Sequence, residues 1–160
     1  MPTPRLVTLM IAAGLGLTVG LAPEPAAAAA QCAALPQERL SAALQTINRN
    51  RSAQGAGPVE LHPALIQAAT QQACQMARQG RLGHGASPSQ RLTTTGYRAS
   101  IAAENVGVGP RDENGMIATW MQSPPHRANL VNRRLRDAGL AQATDANGQV
   151  YWALILAAPR

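Results

Sequence analysis

The end of the chain limits what it can fold into more than any other part. "DAGLAQAT", "DANG" and "QVYWALILAA" follow one another from Asp137 to Ala158. Two apolar runs flank an Asn-Gly pair, which is the signal of a β-hairpin. An earlier run, "SIAAENVGVG" at 100–109, predicts a short strand with polar residues embedded in it. The rest of the chain reads as helix. Leu35, Leu40, Leu44 and Ile47 recur at helical spacing and predict an amphipathic helix from Pro36 to about Arg51, broken by "SAQGAGP". "HPALIQAATQQACQMARQG" predicts a second, with Pro63 in its first turn, Gly80 as its stop and Leu65, Ala69, Ala73 and Met76 as its apolar stripe. Ser87 as cap and Pro88 at the first helical position start a short third helix. Asp112 opens a fourth through Met116, Ile117, Trp120 and Met121. Ser123 and Pro124 repeat the cap-and-proline start for a last short helix to about Val131. Four or five helices, a hairpin and an earlier strand make an α+β domain, with no internal repeat and no second domain.

Composition removes several kinds of chemistry. The formal net charge is +6, and every basic residue is arginine. Without lysine there is no Schiff base and no phosphate-loop lysine. Phe is also absent, so Trp120, Trp152, Tyr97 and Tyr151 are the only aromatics available to a core otherwise built from aliphatic side chains and Met. The arginines are scattered except for "NRRLR" at Asn132–Arg136, and no aromatics interleave with them for base stacking. Nucleic acid is therefore not an expected partner. The charge would suit an anionic wall polymer or membrane surface, but a solvated surface explains it as well.

The N-terminus predicts export. Arg5, the run "LVTLMIAAGLGLTVGLA" and the small-residue stretch "PEPAAAAA" have the layout of a signal peptide over residues 1–30, cut after Ala30. The alternative is a retained N-terminal anchor. Gln31 stands before Cys32 where a lipoprotein signal has a small residue, which argues against lipid attachment. Residues 31–160 then form one secreted or periplasmic domain with no stable membrane span after cleavage. In an oxidising compartment Cys32 and Cys74 would form a disulfide that pins the N-terminus to the second helix. The alternative is a pair of buried thiols. Two cysteines so far apart are not a zinc motif.

Three residues stand out chemically. His84 in "LGHG" follows a helix end, Glu104 in "AAENVG" lies in an apolar strand, and His126 in "SPPHR" lies in the first turn of a helix. A carboxylate in an apolar strand needs a partner, because burying a lone charge is costly. Two histidines and a carboxylate also make a zinc set with an open position. Spacing alone does not bring the three together. Competing readings are a hydrogen-bonded triad that only holds loops to the sheet, and a Ser123–His126–Glu104 nucleophilic triad. The latter is weakened by the role of Ser123 as a cap and by the lack of a G-x-S-x-G turn. A helix N-terminus disfavours imidazolium, so His126 is expected to be neutral, the form that binds metal. His62 reads as a surface residue, Asn105 as the anchor of a turn, Trp120 as core and Arg127 as solvated. "NRS" at Asn50 is a glycosylation acceptor only in a host that glycosylates.

Taken in order, "INRNRSAQGAGPVELHPALIQAATQQACQMARQGRLGH", "RLTTTGY", "AAENVGVG", "TWMQSPPHRANLVN", "DAGLA" and "YWALILA" resemble the CAP superfamily of cysteine-rich secretory, antigen 5 and pathogenesis-related proteins. Within that superfamily the chain looks like the bacterial secreted, SCP-like type. The resemblance runs from about Leu40 to Ala157. It implies an α–β–α sandwich with a small central antiparallel sheet flanked by helices, and a cleft. In the animal members that cleft carries two histidines and two acidic residues. His84, Glu104 and His126 match three of them, and the second glutamate falls on Ser123. The departure weakens any mechanism that needs two carboxylates. The resemblance thus implies a secreted binding module whose cleft is formed by His84, Glu104, Ser123 and His126. His84 and His126 are its candidate ligands for a divalent metal such as Zn2+. Its other candidate partners are a small molecule, a lipid or a cell-wall polymer. A zinc-dependent hydrolase using Glu104 and His126 is the alternative, and a structural extracellular protein is a third.

Overall fold

The computed structural model describes residues 29–160. The apolar N-terminal segment assigned to export lies outside them. The elements run α1 (Gln37–Ala53), β1 (Glu60–Leu61), α2 (Pro63–Gln79), α3 (Pro88–Thr94), β2 (Ala99–Val108), α4 (Glu113–Gln122), α5 (Pro124–Leu130), β3 (Asp137–Thr144) and β4 (Val150–Pro159). The strands form one sheet in the order β1-β3-β4-β2. β3 and β4 are the antiparallel hairpin, closed by an Asp145–Gly148 turn, and β2 pairs antiparallel with the other edge of β4. The short β1 pairs parallel with β3 through Glu60↔Asp137 and Leu61↔Ala138, so the sheet is mixed rather than wholly antiparallel. Two residues of strand carry too little periodicity to stand out in a sequence; Glu60–Leu61 becomes strand because β3 lies beside it.

β4 is buried along nearly its whole length. Side chains alternate across a strand, and here both faces are covered. Val150, Trp152, Leu154 and Leu156 enter the cluster formed with α1, α4 and α5. Tyr151, Ala153, Ile155 and Ala157 enter the cluster formed with α2 and Leu92 of α3. This two-sided burial is the α–β–α sandwich. On the α2 side the contact is close. A Cβ on Gly139 of β3 would collide with the backbone of Leu65 and Ile66, so glycine there lets the helix lie on the strand.

Helix starts follow the sequence closely. Ser87 and Gln90 form a reciprocal capping box on α3, and Asp112 caps α4 through the Gly115 N–H. His62 is more than a surface residue. It caps α2, its Nδ1 accepting from the Ala64 N–H at 3.2 Å, and its half-buried ring meets Tyr97 edge-on at 4.8 Å. Ser123 is a correction of another kind. It holds the N-cap position of α5, but its side chain makes no capping bond. Cys32 and Cys74 are joined in a disulfide across 42 residues, and Gln31 bridges to Thr144, so the segment before α1 is tied to both α2 and β3. No helix among the described residues is long and apolar enough to cross a membrane.

Candidate functional site

The site forms along β2, which is an edge strand of the sheet. Alternation sends Glu104 towards the α2–α3 layer and Asn105 towards the α4–α5 layer. Each polar residue is met by partners from its own side. The Glu104 side chain is 1% exposed. Its Oε1 accepts from His84 Nδ1 at 2.8 Å, and its Oε2 pairs with Arg91 Nη2. Arg91 comes from α3 and is itself buried. Its Nη1 donates to the backbone carbonyls of His84, at 2.9 Å, and of Ala86. One guanidinium therefore neutralises the buried carboxylate and clamps the loop that carries the histidine. The His84 side chain remains 60% exposed. A carboxylate only accepts, so His84 Nδ1 carries a proton and Nε2 is the nitrogen that faces away from Glu104.

On the other layer Asn105 Nδ2 donates to the His126 carbonyl at 2.9 Å. Asn129 Nδ2 donates to Asn105 Oδ1 at 2.9 Å and to the Glu104 carbonyl at 3.2 Å. Trp120 Nε1 donates to the Val106 carbonyl at 3.1 Å. Asn105 thus does not anchor a turn; it cross-links the middle of β2 to α5. His126 Nδ1 lies 3.0 Å from Ser123 Oγ. Burial, and then the nearby His84 ring, lower the pKa of His126 from the ordinary histidine value. The expected neutral imidazole is what the fold favours, and the two histidines lie near enough to influence each other.

These distances separate what the sequence left together. Glu104 bonds His84 and not His126, while Ser123 bonds His126 and not a carboxylate-backed base. The Ser123–His126–Glu104 triad is therefore not assembled. Both Glu104 oxygens are engaged, one by His84 and the other by Arg91. Among the described residues no three His, Cys, Asp or Glu side chains are grouped to hold a metal ion. Two imidazoles remain as the nitrogen donors.

Sequence reasoning misses Arg91 and the Asn105–Asn129 pair. It requires a partner for a buried Glu104 but looks only to histidine. Arg91, beside Leu92 in a short helix, meets the same need and has the planar fork that suits a carboxylate. Asn129 has no local signal, because its partners lie 24 and 25 positions away.

Among the described residues, five helices packed on one four-stranded sheet make the sandwich of a CAP-type domain. The model of the cysteine-rich secretory protein family, CAP, matches residues 44–156, and the chain belongs to that family. The uncharacterized protein YkwD of Bacillus subtilis (strain 168) is 24% identical over 101 residues, which are 61% of this chain and 39% of that protein. The chain thus spans about two fifths of this relative's length. Two solved structures are similar in fold. An outer surface protein from Borrelia burgdorferi has a TM-score of 0.71 at 17% identity, over 78% of this chain and 95% of that one. A cysteine-rich secretory protein from Staphylococcus aureus subsp. aureus Mu50 has a TM-score of 0.63 at 22% identity, over 75% of this chain and 38% of that one.

Proposed function

We propose that the chain is exported and acts outside the cytoplasm as a binding module, with a divalent metal ion held between His84 and His126. The export reading rests on the signal-peptide layout of residues 1–30, the Cys32–Cys74 disulfide and the outer-surface and secretory relatives. The observation that carries the metal reading is the bond from His84 Nδ1 to buried Glu104. A carboxylate behind an imidazole fixes its tautomer and raises its basicity, which is how metal-binding histidines are held. Ser123 can do the same for His126 by accepting from Nδ1. The donor set suits Zn2+, an ion that takes imidazole nitrogen. Two protein ligands leave the remaining positions to water or to a bound molecule.

The hydrolase alternative has less support. Catalytic zinc sites usually have three protein ligands, and a general base must be free to take a proton. Here Glu104 is engaged at both oxygens.

Calorimetric titration of Zn2+ into the protein, beside His84→Ala, tests the reading. One-to-one binding is expected, weakened at least about 100-fold in the variant. Absence of binding to the native protein would remove both the metal reading and the metal-dependent hydrolase, and would leave Arg91, Glu104 and His84 as a loop clamp.

A further inference from the structure

Between α2 and the loop carrying His84 lies a pocket of about 170 Å3. Gln72, Gln75 and Gln79 share one face of α2 and form its wall, Met76 adds an apolar patch, and Arg81 and His84 stand opposite. Gln72 is 1% exposed. Its Nε2 donates to the Gly83 carbonyl, and its Oε1 is buried with no partner. Turning the amide over does not cure this. The Gly83 carbonyl only accepts, so the NH2 group must face it and the oxygen must face away. Buried polar atoms of this kind are rare and call for an explanation. Gly85 keeps the space open. Its φ is +60°, and a Cβ there would lie 3.3 Å from the Gln75 amide and 3.4 Å from Gln72 Oε1. The orphaned oxygen therefore lies beside the position a Gly85 side chain would take, closed off from solvent, and a ligand reaches it once the exposed Gln75 side chain swings aside.

We infer that this pocket is a binding subsite for a sugar residue of a neutral carbohydrate chain. Gln72 Oε1 needs a hydrogen-bond donor. A cationic donor is opposed by Arg81 and by the net charge of +6. A carboxylate or phosphate brings no proton. A hydroxyl does both jobs: it donates to Gln72 Oε1 and accepts from the Gln75 or Gln79 amide, or from Arg81. The volume equals about six waters at ~30 Å3 each, which fits one ring rather than a drug-sized ligand.

The neighbouring surface extends the argument. Gln75 and Gln79 also line an adjoining groove of about 490 Å3, which continues past Gln71 and Arg78 to the Cys32–Cys74 disulfide. A chain of sugars entering at Gln72 would lie along this row of amides. The subsite deepens the binding-module reading by naming a ligand class. It needs no metal, so the two can fail separately.

The test titrates the protein, in EDTA, with two neutral tetramers: one of N-acetylglucosamine and one of β-linked glucose. The readout is the side-chain NH2 signals of Gln72 by 1H–15N NMR, assigned by their loss in Gln72→Met. A saturable shift of those signals with either sugar is expected. Gln75→Ala, a change at an exposed helical position that keeps the fold, should weaken binding about tenfold, as losing a hydrogen bond to the ligand would. If neither tetramer moves the Gln72 signals at millimolar concentration, the pocket holds water only and the inference is wrong. Binding to the variants is followed by their backbone amide shifts; if Gln72→Met and Gln75→Ala both leave it intact, the inference is overturned equally, because the sugar then sits elsewhere.

Discussion

Among the described residues two arginines are buried, and they are used in different ways. Arg51, at the end of α1, is 0% exposed and meets only backbone carbonyls. Its Nε donates to Gly57 at 2.8 Å, its Nη1 to Leu130 at 2.7 Å and Asn132 at 3.1 Å, and its Nη2 to Leu135 at 3.2 Å. Burial, and then the Arg136 guanidinium, lower its pKa from the ordinary arginine value. Arg91 meets two carbonyls as well, but its other end holds the Glu104 carboxylate, and that carboxylate holds an exposed imidazole. Arg51 gathers loops into the core and passes nothing on. Arg91 sits between the core and a ring that reaches solvent. A buried charge held by carbonyls is scaffold; one held by a carboxylate can set the chemistry of the next group along.

That contrast can be broken by substitution. Arg51→Met leaves four carbonyls, two of them buried, without their donor and should cost about 4 kcal/mol or more in denaturant unfolding. In molecules that stay folded, Zn2+ affinity should be unchanged. A variant that is folded but has lost the metal would end the distinction. Removing the disulfide with Cys32→Ser and Cys74→Ser opens a loop of 42 residues and should cost about 4 kcal/mol, again without effect on the histidines.

Glu104→Gln should hit both properties. It leaves the Arg91 guanidinium buried without its anion, at about 3 kcal/mol in the same unfolding assay. It also removes the carboxylate behind His84, and Zn2+ binding should weaken about 10- to 100-fold by calorimetry. Stability lost with metal affinity intact would show that Arg91 and Glu104 are scaffold after all.

The smallest effect concerns pH. The pKa of His126 is lowered in the folded protein, so the unfolded chain takes up its proton first as pH falls. Its contribution to stability is complete above the unfolded value of about 6.5 and is lost as pH drops from there through the folded value. The slope cannot exceed about 1.4 kcal/mol per pH unit for one proton. Unfolding free energies measured across that range should show the slope in the native protein and lack it in His126→Gln. Equal slopes would mean that the fold does not hold this ring neutral.

Much of this protein was decided locally. The β3–β4 hairpin followed from an Asn-Gly pair between apolar runs, and α2, α3 and α4 began at residues whose cap chemistry acts within three positions. Cys32 and Cys74 are the two cysteines of the sequence, so a single intramolecular pairing was available to them. His84, Glu104 and His126 stood out as candidate groups by their side-chain chemistry, in "LGHG", "AAENVG" and "SPPHR". What the tertiary structure alone decided was who bonds to whom. Strand β1 exists because β3 provides its partner. Ser123 left its capping role for His126, Glu104 chose His84 and Arg91 over His126, and Gln72 was left with a buried oxygen that has no partner. The physical reason is the same in each case. Caps and turns are satisfied within a few residues of sequence, whereas a buried charge or amide is satisfied by whatever the packing of the sheet edge brings within about 3 Å.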